Sequence, residues 1–128
     1  MAVQELTQDT FESTIKDNGI VIMDFWAPWC GPCQQFAPTF EEASEKHEDV
    51  VFAKVNTDEE QNIAAAFQIR SIPTLMIFRD QIIVFSQPGV LSPGQLDEVL
   101  GKVKELDMDA VRADVQRQQQ EQEQAGGA

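Results

Sequence analysis

The two cysteines of this chain fall inside one short segment, Trp29-Cys30-Gly31-Pro32-Cys33. A pair at this spacing, placed where a buried strand gives way to a helix, is suited to disulfide exchange. The start of a helix leaves backbone N–H groups unpaired and carries the positive end of the helix dipole, so a cysteine there is held toward its thiolate. The thiolate is the form that attacks a disulfide. Cys33 points back under the first turn, from where it can attack a mixed disulfide on Cys30 and release the reduced substrate. Pro32 suits a first helical turn and stiffens the loop between the sulfurs. Other readings of the pair are a structural disulfide, a zinc site, or two unpaired buried thiols. A structural bridge here would close too small a loop to constrain much of the unfolded chain. Zinc needs four ligands, and the single histidine, His47, has no partner histidine. The redox reading is therefore preferred, and His47 reads as a solvated residue at a helix end.

Three further residues stand out. Asp24 interrupts an otherwise apolar run leading straight into Cys30. A buried acid is costly unless neutral or partnered, so its pKa should be raised, making it a candidate proton carrier beneath the sulfurs. Lys54, on the next strand, can reach the same region; the alternative for the two is a plain buried ion pair. Pro73, in Ser71-Ile72-Pro73-Thr74, sits at the mouth of a strand, where proline withholds a ladder hydrogen bond. Sequence alone favours a trans bond there. A cis bond would turn the Ile72 backbone toward an extended substrate segment.

The elements that must carry these residues follow from periodicity. Residues 7–17 read as a short helix with Phe11 and Ile15 four apart. Residues 20–26 are nearly continuous apolar sequence, as in a strand buried on both faces. A helix is expected over 32–47, a strand over 50–55, and a helix capped by Thr57 or Asp58 running through Phe67, with Asp58, Glu59 and Glu60 at its positive end. Residues 74–78 and 82–85 read as an antiparallel hairpin around Arg79-Asp80-Gln81, whose lack of glycine implies an unusual turn. Ser92-Pro93-Gly94-Gln95 opens a last helix with a capping-box pattern. Its apolar stripe of Leu96, Val99, Leu100 and Val103 is expected to continue for two turns through Leu106, Ala110 and Val111. The order α-β-α-β-α-β-β-α predicts an α/β fold: a mixed central sheet, parallel through its βαβ unit and antiparallel through its C-terminal hairpin, flanked by helices on both faces.

At 128 residues and 42% hydrophobic content the chain can close one core without staples. A formal charge of −13 argues against nucleic acid and anionic membranes as partners and for a monomer. The N-terminal residues carry no secretory signal and no stretch is apolar enough to span a membrane, so a cytoplasmic setting is expected. Composition changes near residue 105. Residues 1–104 carry the α/β domain, and 105–128 form an acidic, Gln-rich extension expected to be helical and to fray.

Asp24-Phe25-Trp26-Ala27-Pro28-Trp29-Cys30-Gly31-Pro32-Cys33 resembles the active-site segment of the thioredoxin family. The likeness extends through Ala37-Pro38, Lys54-Val55-Asn56, Ile69-Arg70-Ser71-Ile72-Pro73-Thr74 and Gly89. It implies the thioredoxin fold and a protein-disulfide reductase. It also implies Cys30 as nucleophile, Cys33 as resolving cysteine, Asp24 as the acid that deprotonates Cys33, Lys54 as its neighbouring lysine and Pro73 as a cis-proline. Trp29, Gly31, Pro32, Ile72 and Gly89 would form the substrate-docking rim. The resemblance further implies disulfide-containing protein substrates, no bound cofactor or metal, and electrons from NADPH through a separate thioredoxin reductase. Gln34 and Gln35 depart from the family pattern, which often places lysine after the second cysteine, and the extension beyond residue 104 has no family counterpart. A disulfide isomerase or oxidase is disfavoured by Gly31-Pro32, where oxidants often carry histidine. A redox-independent binding module is the third alternative, motivated by the extension.

Overall fold

The computed structural model describes residues 2–126; of the C-terminal extension, Gly127 and Ala128 lie outside it. The elements run β1 (Val3–Glu5), α1 (Gln8–Asp17), β2 (Ile20–Trp26), α2 (Gly31–Lys46), β3 (Val51–Asn56), α3 (Gln61–Ala66), β4 (Thr74–Arg79), β5 (Ile82–Pro88), α4 (Pro93–Glu105) and α5 (Met108–Gly126). The sheet order is β1-β3-β2-β4-β5. β1, β3 and β2 are mutually parallel, while β2–β4 and β4–β5 are antiparallel. This is the expected mixed sheet, with one strand added: the short β1, which pairs with β3 through Val3, Gln4 and Glu5. Three residues are too few for periodicity to announce a strand.

The side-chain alternation of β2 divides the core. Val21, Met23 and Phe25 join Leu6, Phe11, Ala53, Val55 and Ile63 on one face. Ile22 packs on the other face with Phe36, Phe40, Phe52, Leu75, Ile77, Leu96 and Leu100, which brings α2 and α4 onto that side. The same period of two puts Asp24 on the face of Ile22, beneath α2.

Several local expectations need correction. α3 begins at Gln61 with Glu60 as its N-cap, later than Thr57 or Asp58. The preceding residues form a turn held by Asn56, whose Oδ1 accepts from the backbone N–H of Asp58 (2.9 Å) and Glu59 (3.3 Å). The hairpin turn is two residues, Asp80-Gln81, with φ of +51° and +71°. Positive φ at both central positions marks a type I′ turn, whose twist matches the flanking strands. α4 stops at Glu105 and does not continue into the extension. Arg79 Nη1 donates to the carbonyls of Val103 (2.6 Å), Lys104 (3.2 Å) and Leu106 (2.9 Å), satisfying acceptors that a longer helix would have used. Asp107 Oδ1 then accepts from the N–H groups of Asp109 and Ala110, starting α5 as a separate helix. Met108 is buried and Arg112 reaches Asp80 at 3.2 Å, so α5 docks beside the hairpin.

His47 is not a solvated helix end. It caps α2, with Nε2 2.8 Å from Asp97 Oδ1 and Nδ1 accepting from Lys104 Nζ at 3.1 Å, tying α2 to α4.

Candidate active site

Cys30 is the N-cap of α2, and its Sγ accepts the N–H of Cys33 at 3.2 Å. A donor already aimed at this sulfur, together with the helix dipole, favours negative charge on it when the pair is reduced. Local sequence explains the placement. β2 ends at Trp26, the buried Ala27 accepts the N–H of Cys30 at 3.2 Å, and Pro32 sits in the first turn of α2. In this structure Cys30 and Cys33 form a disulfide with Cα atoms 5.3 Å apart. Both residues are largely buried, at 5% and 3% exposure, so a substrate meets the sulfurs through a small opening.

The rim of that opening comes from three loops. Trp29, next to Cys30 in the chain, is 70% exposed, and its Nε1 donates to Asp58 Oδ2 at 2.9 Å, fixing the indole against the turn before α3. Gly31 and Pro32 are exposed at the start of α2. The Ile72–Pro73 bond is cis, with Pro73 buried and the Ile72 carbonyl 3.8 Å from Cys30 Sγ. Gly89, at φ +99°, donates its N–H to the Pro73 carbonyl at 2.8 Å, which brings the 89–91 loop to the same edge. Of the five residues expected to form the rim, Trp29, Gly31 and Pro32 adjoin the two cysteines in the chain, Ile72 approaches Cys30 through its carbonyl, and Gly89 is tied to Pro73. Sequence reading missed two neighbours. Val90, 50% exposed, extends the rim, and with Pro32, Phe36 and Leu91 it lines a groove of about 320 Å³. An apolar pair directly after Gly89 was the available signal for it. Asp58 had none, because its partner Trp29 lies 29 residues away.

Beneath the disulfide lies the acid. Asp24 is 1% exposed, and among the described residues its Oδ1 has no hydrogen-bond partner. Burial pushes its pKa up from 3.8 to about 7, while the charge of Lys54 opposes the rise. Asp24 and Lys54 are register partners on β2 and β3, yet no ion pair joins them; Lys54 Nζ sits 4.4 Å from the centroid of the Trp26 ring. The alternative of a direct Asp24–Lys54 ion pair is therefore not what the structure holds. A cleft of about 260 Å³ is lined by Asp24, Trp26, Cys33, Gln34, Ala37 and Lys54. It brings the acid, the lysine and the second cysteine to a single space large enough for water. Among the described residues no cluster of three or more His, Cys, Asp or Glu side chains is arranged to hold a metal. Nor is any helix there long and apolar enough to cross a membrane.

A family model described as Thioredoxin matches residues 2–102. The chain is 52% identical over 115 residues to a Streptomyces coelicolor protein named "Putative thioredoxin 2", covering 90% of this chain and 86% of that one. It is 43% identical over 99 residues to Thioredoxin 1 of Synechococcus elongatus, covering 76% and 92%. Among solved structures, a mutant thioredoxin from Halobacterium salinarum superposes with a TM-score of 0.76 at 33% identity, covering 81% of this chain and 92% of that one.

Proposed function

We propose a division of labour among the site residues from the premise that this chain belongs to the thioredoxin family. Its activity is thiol–disulfide oxidoreduction: it reduces protein disulfides by dithiol–disulfide exchange through Cys30 and Cys33. In our reading the Cys30 thiolate attacks a substrate disulfide, forming a mixed disulfide and releasing one substrate thiolate. Cys33 then loses its proton to Asp24, directly or through water in the cleft, and its thiolate attacks Cys30 Sγ. The second substrate thiolate leaves, and the Cys30–Cys33 disulfide carries away the oxidation. A carboxyl titrating near 7 can both take and return a proton at neutral pH, which supports this role for Asp24. Lys54 tempers that pKa by its charge. Trp29, Gly31, Pro32, Ile72 and Gly89 receive an extended substrate segment, with Pro73 shaping the edge that the Ile72 backbone offers.

The observation that carries the proposal is the pairing of an N-cap sulfur with a second cysteine that shares a cleft with a buried carboxyl whose Oδ1 has no hydrogen-bond partner among the described residues. Disulfide-containing proteins are the substrates, and a reductase is the family's general source of electrons. We further infer recharging by an NADPH-dependent thioredoxin reductase, no bound cofactor, a cytoplasmic setting and a monomeric state. Residues 1–104 would suffice for the chemistry, with 105–128 an appended extension. Insulin reduction coupled to NADPH and a bacterial-type reductase tests the scheme. Cys30→Ser should abolish turnover and Cys33→Ser should accumulate mixed disulfides; full turnover by Cys30→Ser would sink it.

A further inference from the structure

Gln34 follows Cys33 directly, and the scheme above assigns it nothing. Its side chain is nonetheless held in place: Nε2 donates to the Pro28 carbonyl at 2.5 Å, reaching from the first turn of α2 back to the loop that carries Trp29. It also lines the cleft shared by Asp24, Cys33 and Lys54. Of the residues lining that cleft, Gln34 alone is exposed, while Asp24 and Cys33 are buried. Gln34 is thus the most open of the lining residues, with Trp26, Ala37 and Lys54 half-buried. The cleft, about 260 Å³, exceeds the roughly 30 Å³ share of one water several-fold. Its inner wall includes a carboxyl whose Oδ1 lacks a protein partner among the described residues.

We propose that Gln34 is a positioning residue for the exchange reaction: pinned to Pro28, its side chain covers the mouth of the cleft and limits the water that reaches Asp24 and Cys33. This rests on the reading of Asp24 as proton acceptor for Cys33. In the resolving step the Cys33 thiol proton passes to the Asp24 carboxylate. The Cys33–Cys30 bond forms as the bond between Cys30 and the substrate sulfur breaks, and the substrate departs as a thiolate with the electron pair. The proton on Asp24 then returns to solvent past Gln34. The titratable groups facing Asp24 are Lys54 from β3 and Cys33 from α2, while β4 presents Leu75 at the paired position. Gln34 is neutral, so truncating it alters solvation of the acid without altering the charges around it.

The test uses the full, reduced chain mixed with one equivalent of the aryl disulfide of thionitrobenzoate. The first release of coloured thiolate reports attack by Cys30 and the second reports attack by Cys33. The second phase is followed across pH for the parent chain, Gln34→Ala, Asp24→Asn and the double variant. Opening the mouth hydrates the carboxylate, so Gln34→Ala should move the midpoint of the second phase downward by about one pH unit. The double variant should match Asp24→Asn alone. Coincident profiles for the parent chain and Gln34→Ala, with a changed profile in Asp24→Asn, would overturn the role of Gln34 specifically. A profile unmoved by Asp24→Asn would overturn the Asp24 reading, and this inference with it.

Discussion

Asp24→Asn should stabilise the oxidised protein, and by an amount that depends on pH in a calculable way. The native carboxyl titrates at about 7 because burial disfavours its charge, whereas in the unfolded chain it returns to about 3.8. The folded state thus binds the proton more tightly than the unfolded state. The stability associated with the neutral acid is complete below about pH 4 and drains away as pH rises toward 7, above which the loss levels off. Moving a carboxyl pKa from 3.8 to about 7 corresponds to a total of about 4 kcal/mol. Roughly half of this is already lost by about pH 5.5, so about 2 kcal/mol remains to appear between about pH 5.5 and 8.5. Asparagine keeps the shape and never ionises, so its variant lacks this slope. Urea unfolding of both oxidised proteins at the two pH values should show the advantage of Asp24→Asn growing by about 2 kcal/mol toward alkaline pH. Stability curves that run parallel across that window would refute the reasoning, because they would mean the carboxyl is already ionised at the lower pH or hydrated at both.

Arg79→Met should destabilise the fold by about 2 kcal/mol, since it leaves the carbonyls of Val103, Lys104 and Leu106 without their guanidinium donor. Insulin reduction should be unchanged, because Arg79 is at the opposite end of β4 from the cis-proline; urea unfolding and the reductase assay together check both parts. Gln81→Gly should raise stability by about 1 kcal/mol in thermal or urea unfolding, because a φ of +71° strains any residue with a Cβ.

Much of the chemistry is legible in short stretches of sequence. The cysteine pair at a strand-to-helix boundary, the acid inside an apolar strand and the Ser92 capping box are local patterns spanning a few residues. Their geometry follows from helix start signals and strand alternation. Alternation alone even places Asp24 on the same face as Ile22. Expectations failed where a partner distant in sequence intervened. The periodic stripe through Leu106, Ala110 and Val111 suggests one long helix, but Arg79, from β4, takes up the last carbonyls of α4 and ends it. The acids at 58–60 look like the first turn of α3, but the side chain of Asn56 folds them into a turn. His47 looks solvated because Asp97 and Lys104 lie some fifty residues further on.

The sequence by itself determined the redox pair and its setting, because a CxxC pair at a strand-to-helix boundary is placed on the helix N-cap by its neighbours alone. Tertiary structure alone decided the surroundings. The order β1-β3-β2-β4-β5 sets Lys54 beside Asp24 yet over the Trp26 ring, brings the Ile72 carbonyl to Cys30 across 42 residues, and gathers Asp24, Lys54, Cys33 and Gln34 around one cleft. The physical reason is that strand register is settled by packing both faces of the sheet at once, and no window of adjacent residues contains that constraint.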